Sequence, residues 1–242
     1  MTPNVTHEIL SDGIDIFLGD CLEIMSSFNP GQFDLCWTDP PYNIGKDYDN
    51  FDDGLPEILY FQWVQQWLSK VQFVSNSVAL YPPKKKLLKF WNMLPDHHLI
   101  ICAWSAQGTF WGKFFHQYAP LIVPSQPVNR VKDHWWNAQV SGMGFFYREK
   151  KFDHPGQTSL DITTRIIEAF TRPGDHVLDP FGGTGTTAEA CLKLGRKCTL
   201  IEQSEKYFAI TKQRITDALK SDPNLGVTRS GGSRPSLSPL AP

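Results

Sequence analysis

Apolar and polar positions alternate over residues 14–18 and stop at Gly19-Asp20. A second apolar run over 33–38 halts at Asp39-Pro40-Pro41, where two prolines forbid further pairing. Both runs read as strands with a carboxylate at the C-terminal end. Over 56–71 the spacing changes: Leu59, Trp63, Val64, Trp67, Leu68 and Val71 recur at helical intervals, and a short strand follows over 78–81. Strand, helix, strand is the rhythm of a parallel α/β fold. Residues 84–94 predict another helix and 99–104 a strand, whereas 108–151 mixes aromatics, glycines and short apolar runs without a clear period.

The last third is more regular. Ile162, Ile166, Ile167 and Phe170 mark one helix face, Arg172-Pro173-Gly174-Asp175 breaks it, and a strand over 176–178 leads into Asp179-Pro180. After the segment Phe181-Gly182-Gly183-Thr184-Gly185-Thr186-Thr187 comes a helix over 188–194, closed by Gly195. A strand over 198–201 ends at Glu202, and a final amphipathic helix carries Phe208, Ile215 and Leu219. There is no internal repeat. The pattern describes one α/β domain over 1–220 with an irregular insert around 105–150. The stretch 221–242, rich in Ser, Pro and Gly, is expected to be disordered.

Composition narrows the class. With 242 residues, 41% of them hydrophobic, the chain is long enough for one well-filled core. No run of about 18 apolar residues occurs and the N-terminal segment lacks a signal-peptide pattern, so neither a membrane span nor export is expected, and the expected location is cytoplasmic. Cys21, Cys36, Cys102, Cys191 and Cys198 are odd in number and form no C-x-x-C pair, which argues for buried reduced thiols over disulfides or zinc. The histidines, His97, His98 and His154 among them, find no metal-ligand partner at useful spacing.

The charge balance is near neutral, 23 basic against 25 acidic residues, and does not advertise nucleic acid. Lysines 84, 85, 86 and 89, the pair Arg130 and Lys132, and the group Arg148, Lys150 and Lys151 form local clusters that fit either a phosphate contact or a solvated face. Trp135-Trp136 and Phe145-Phe146-Tyr147 fit base stacking or, more ordinarily, core packing. Asp47, Asp49, Asp52 and Asp53 read as a mobile, solvated lid after the proline motif.

Two motifs carry chemistry. The glycine-rich segment lies between a strand ending in Asp179 and a helix, where backbone amides can approach a nucleotide-like ligand closely. Glu202 ends the next strand about 20 residues on, the position from which a carboxylate accepts from ribose hydroxyls. Neither the Gly-Lys-Ser/Thr ending of a phosphate-cradling loop nor the G-x-G-x-x-G dinucleotide spacing is present, so the ligand carries ribose and adenine without needing a pyrophosphate clamp.

The second motif is Asp39-Pro40-Pro41-Tyr42, followed by Asn43, at the rim where open α/β sheets bind ligands. An exocyclic amine of a base is a poor nucleophile because its lone pair is delocalised into the ring. A carboxylate from Asp39 and a carbonyl aimed by Pro40 can accept its two hydrogens and favour the pyramidal, attacking form. Tyr42 offers a face on which an extruded base can stack. A tight proline turn is the plainer reading of the tetrapeptide.

With these motifs in this order, the sequence resembles the amino-methyltransferases of DNA in the permuted arrangement, where the Asp-Pro-Pro-Tyr motif precedes the cofactor motif. The resemblance runs from Phe17-Leu18-Gly19-Asp20-Cys21-Leu22 through Tyr42-Asn43 and again from His154-Pro155 to about residue 210. It implies a mostly parallel seven-stranded sheet of Rossmann-like form and S-adenosylmethionine as cofactor. Asp179, Phe181, Gly182, Gly183, Thr184, Gly185 and Thr186 would then hold the methionine part, Glu202 the ribose, and Asp20 would lie near the adenine. Family members often carry Lys-Pro after the glutamine of the segment matching His154-Pro155-Gly156-Gln157; here Thr158-Ser159 follow. The recognition region between the motifs is short, which implies relaxed recognition, a short target site, or help from a second subunit.

The expected activity is therefore direct transfer of a methyl group to the N6 amine of adenine in double-stranded DNA with the base turned out of the stack. Asp39, Pro40, Pro41 and Tyr42 form the catalytic motif, and no metal is required. Adenine is favoured over cytosine N4 because Asp, not Ser, heads the motif. Cytosine or RNA as substrate, and a silent DNA-binding subunit, are the alternatives, and a restriction nuclease or a second subunit is a candidate partner. Restriction–modification, phage and regulatory settings fit equally.

Overall fold

In the computed structural model, described residues are 5–49, 52–94, 96–103, 109–111, 114–116, 118–131, 134–136, 152, 154, 156–222 and 225. Two aromatic or basic groupings singled out above, Phe145-Phe146-Tyr147 and Arg148/Lys150/Lys151, lie outside them, as do Lys132, half of the 105–150 insert and nearly all of the 221–242 tail.

The chain opens with a hairpin, β1 (Thr6–Ser11) and β2 (Ile14–Leu18), turned at Gly13, whose φ of 86° suits glycine. The short helix α1 (Cys21–Met25) starts at once because Asp20 caps it, its Oδ1 accepting from the amides of Leu22 at 2.8 Å and Glu23 at 3.1 Å. Then come β3 (Leu35–Thr38), α2 (Glu57–Val74), β4 (Val78–Leu80), a 3-10 turn (Lys84–Lys86), α3 (Leu87–Met93) and β5 (His97–Ala103). The middle of the chain adds β6 (Thr109–Trp111), β7 (Phe114–His116), β8 (Tyr118–Pro124) and β9 (His134–Trp136). Finally α4 (Leu160–Phe170), β10 (His176–Asp179), α5 (Thr186–Leu194), β11 (Lys197–Glu202) and α6 (Glu205–Ser221) complete the fold.

The main sheet has nine strands in the order β1-β2-β11-β10-β3-β4-β8-β5-β9, with β6 and β7 forming a separate pair. Five neighbours from β2 to β4 run parallel; β1 and β8 run against the rest. The α/β class and mostly parallel sheet agree with the sequence reading, but the count of seven does not: β1 pairs onto one edge and β9 onto the other. The order also shows how the two motifs meet. Strands β10 and β11, from the last third of the chain, fill the gap between β2 and β3 from the first.

Period-two alternation splits each central strand between two apolar layers. Leu35 and Trp37 of β3, Val177 of β10 and Leu200 of β11 pack with α4, α5 and α6, through Ile162, Ile166, Cys191, Phe208 and Ile215. Cys36, Leu178 and Ile201 face the other way, onto α1 and α2 through Met25, Tyr60, Val64, Trp67 and Val71. Leu59, counted in the sequence as part of this stripe, is 49% exposed; Tyr60 takes the buried position. All five cysteines are buried. Among the described residues no helix is long and apolar enough to cross a membrane.

Candidate active site

The carboxyl ends of β2, β11, β10 and β3 lie side by side in that order, and each delivers one carboxylate: Asp20, Glu202, Asp179 and Asp39. A cavity of about 230 Å3 opens over them, lined by Asp20, Asp39, Pro41, Tyr42, Phe181, Gly183 and Glu202 among others. A recess of about 30 Å3 shares Asp39, Phe181 and Gly183 with it and adds Asp179, Gly182, Thr184 and Thr186. The tertiary structure thus gathers nearly every sequence-predicted site residue. Pro40 and Gly185 line neither space.

The four carboxylates are not equivalent. Asp179 is fully engaged by protein: Oδ1 accepts from Thr38 Oγ1 at 2.8 Å and the Phe181 amide at 3.1 Å, and Oδ2 from Thr187 Oγ1 at 2.6 Å. It therefore shapes the glycine-rich turn from beneath, and burial holds its pKa above the usual carboxylate range. Glu202 accepts the amides of Gly183 on Oε2 and Ser204 on Oε1, both at 2.8 Å, and that of Gln203 as well. Burial pushes its pKa up to about 7 against the pull of those amides.

The glycine-rich turn packs closely against β11 on one side and α6 on the other. A Cβ on Gly182 would meet Leu200 Cβ at 3.2 Å, and one on Gly185, where φ is 78°, would meet Thr211 Cγ2 at 2.8 Å. Gly185 thus serves the site through its backbone conformation. From the far side Arg214, 5% exposed, braces the turn: Nη1 donates to Thr186 Oγ1 at 2.9 Å and the Thr184 carbonyl at 3.2 Å, and Nε to Glu189 Oε2 at 2.6 Å. Phe181 projects between Trp63 and Trp67, with ring centroids at 5.5 and 5.2 Å.

Around Asp39 the backbone carbonyls are sorted. Tyr60 Oη donates to the Pro41 carbonyl at 2.8 Å, and Lys86 Nζ to those of Tyr42 at 2.9 Å and Asn43 at 3.2 Å. Among the described residues none donates to the Pro40 carbonyl. Thr158 Oγ1 donates to Asp39 Oδ2 at 2.8 Å. Burial pushes Asp39 up to about 6, partly offset by the Tyr42 and Thr158 hydroxyls that bond it and by the Lys46 ammonium.

This geometry agrees with the comparisons. Residues 80–213, more than half of the chain, match the family model of the N6/N4 DNA methylases. A type II methyltransferase of Lactococcus lactis subsp. cremoris, M2.LlaDCHI, is 44% identical over 240 residues, which span 81% of this chain and 87% of that one. The chain belongs to this DNA methylase family. Among solved structures, the complex of M1.HpyAVI with S-adenosylmethionine superposes with a TM-score of 0.59 at 23% identity, covering 83% of this chain and 99% of that one. The cytosine-N4-specific PvuII DNA methyltransferase gives a TM-score of 0.62 at 15% identity, covering 86% and 92%. The fold is that of these methyltransferases.

Several residues that serve the site escape the sequence reading of this DNA methylase. Lys86 is indistinguishable in sequence from Lys84 and Lys85, yet its ammonium turns inward onto the carbonyls of Tyr42 and Asn43, while Lys89 pairs with Glu57 and Lys84 lies 4.8 Å from the Tyr118 ring centroid. The acidic loop is also corrected. Asp53 is 2% exposed, and its carboxylate collects the amides of Asn43 at 2.5 Å and of Ile44 and Lys46 at 3.0 Å. Asp49 accepts from Ser204 Oγ at 2.7 Å, which ties this loop across the site to the start of α6. Lys46, Tyr48, Trp63, His154 and Tyr207 complete the cavity wall.

Proposed function

We propose that this DNA methylase transfers a methyl group from S-adenosylmethionine to the N6 amine of adenine in duplex DNA. The observation that carries the reading is the Asp39 carboxylate in the cavity wall, with Tyr42 and Gly183 of the glycine-rich turn in the same wall. With the Pro40 carbonyl next to it in the chain, Asp39 supplies the two acceptors that the two hydrogens of an exocyclic amine call for. Engaging both favours the pyramidal nitrogen over the ring-conjugated one, and does so in a buried setting where such contacts are strong.

The donor set fits the cofactor. Glu202 has acceptor capacity for ribose hydroxyls, Asp20 Oδ2 is left over from helix capping beside the same cavity, and the Gly182–Gly183 turn leaves room for the methionine part. When bound, S-adenosylmethionine supplies an electrophilic methyl group on a sulfonium, which the amine nitrogen takes as the carbon–sulfur bond breaks. Asp39, mostly ionised at pH 7, receives the proton the amine loses. Tyr42, held by its hydroxyl on the Tyr81 carbonyl at 3.3 Å, offers a ring at the cavity for the flipped base, offsetting the few kcal/mol lost on unstacking.

Adenine is assigned because Asp heads the motif. The short segment between the motifs supports a short target, or recognition shared with a second subunit or a companion nuclease. The test is transfer of labelled methyl from S-adenosylmethionine to mixed-sequence duplex DNA, with the product digested to nucleosides. Label on N6-methyl-2′-deoxyadenosine is expected; label on the N4 amine of 2′-deoxycytidine would reassign the base. Asp39→Ala is expected to bind cofactor and transfer nothing, and retained turnover would remove the role of that carboxylate.

A further inference from the structure

We infer that Thr158 is a positioning residue that orients the Asp39 carboxylate toward the incoming amine and ties it to the cofactor loop. The inference rests on Asp39 having the role given above. The two polar groups of Thr158 point to different partners. The hydroxyl donates to Asp39 Oδ2 at 2.8 Å, across 119 positions of sequence, and the carbonyl accepts from Thr186 Oγ1 at 3.4 Å. Thr186 is itself held by Arg214 Nη1 at 2.9 Å, and Arg214 by Glu189. A continuous hydrogen-bonded path therefore runs from the back of the glycine-rich turn, where the cofactor is to be held, to the carboxylate that handles the nucleophile.

The chemistry of the bond has a definite direction. A hydroxyl that donates to one carboxylate oxygen helps to hold the plane of the group and, beside the Tyr42 hydroxyl that also bonds this carboxylate, favours the ionised form. Valine is nearly the same shape as threonine and removes only the donor; the Thr158 carbonyl and its link to Thr186 survive.

Thr158→Val, Thr158→Ser and Asp39→Ala are compared with the wild type on duplex DNA, with kcat followed from pH 5 to 9 and cofactor affinity measured by calorimetry. In Thr158→Val, kcat is expected to fall about tenfold with the Kd for S-adenosylmethionine changed less than about twofold, and the acidic limb of kcat to move up by about one pH unit. Thr158→Ser restores both. A purely structural role would lower kcat without moving the limb. A Thr158→Val enzyme with wild-type kcat and limb, beside an inactive Asp39→Ala, overturns the role of Thr158 alone. Turnover by Asp39→Ala overturns the reading of Asp39 on which it rests.

Discussion

The Thr38 hydroxyl donates to Asp179 Oδ1 at 2.8 Å and so joins the end of the strand that leads into Asp39-Pro40-Pro41-Tyr42 to the end of the strand that leads into the glycine-rich turn. Both residues are buried. Thr38→Val leaves a buried carboxylate short of a donor and is expected to cost about 1–3 kcal/mol of stability. It should also weaken S-adenosylmethionine binding, because the turn rests on Asp179. Urea unfolding and calorimetry on one preparation check both.

Asp39 makes stability depend on pH in a defined direction. Its folded-state pKa, about 6, lies above the ordinary 3.8. The ionised group therefore costs stability as pH rises through 6, and the cost is absent below about 4, where it is protonated in folded and unfolded chains alike. Asp39→Asn is expected to match the wild type in Tm near pH 4 and to exceed it at pH 7 and above. A difference independent of pH would contradict the buried ionised carboxylate.

Glu202 is pushed up to about 7, and ribose hydroxyls bind best to its ionised form. Cofactor affinity is accordingly expected to fall as pH drops below 7. Glu202→Gln should bind about tenfold more weakly at pH 8, a loss of roughly 1.4 kcal/mol, and show little change between pH 6 and 8. Titration calorimetry at three pH values suffices.

Two glycines with positive φ separate backbone strain from close approach. Gly195, at 68°, has nothing within 4 Å of a Cβ, so Gly195→Ala is expected to cost only about 1 kcal/mol. Gly185→Ala adds an encounter with Thr211 at 2.8 Å and should cost clearly more while also impairing cofactor binding. Thermal melts with and without S-adenosylmethionine distinguish the two effects.

Lys86 holds the carbonyls of Tyr42 and Asn43. Lys86→Met is expected to lower kcat on DNA about tenfold with cofactor affinity retained, since it disturbs the loop that aims the catalytic groups. Its kcat should respond to salt as the wild type does, whereas a lysine facing phosphate would change the salt dependence of DNA binding.

Much of this protein follows from local sequence. The strand over 14–18, the helix faces of α2, α4 and α6, and the stop at Gly195 follow from period and punctuation alone, which depend on neighbours within a few residues. The same holds for the placing of Asp39, Asp179 and Glu202 at strand ends, and with it for the kind of ligand and reaction. Tertiary structure decided what joins distant segments. The apolar run Leu121-Ile122-Val123 does not say that it lies antiparallel between β4 and β5, and nothing local inserts β10 and β11 between β2 and β3. Which lysine of three turns inward, that Asp53 is buried beneath its own loop, and that Thr158 reaches Asp39 depend on that order. A side chain's partner 119 or 141 residues away is fixed by sheet register, and register is a property of the whole packed core.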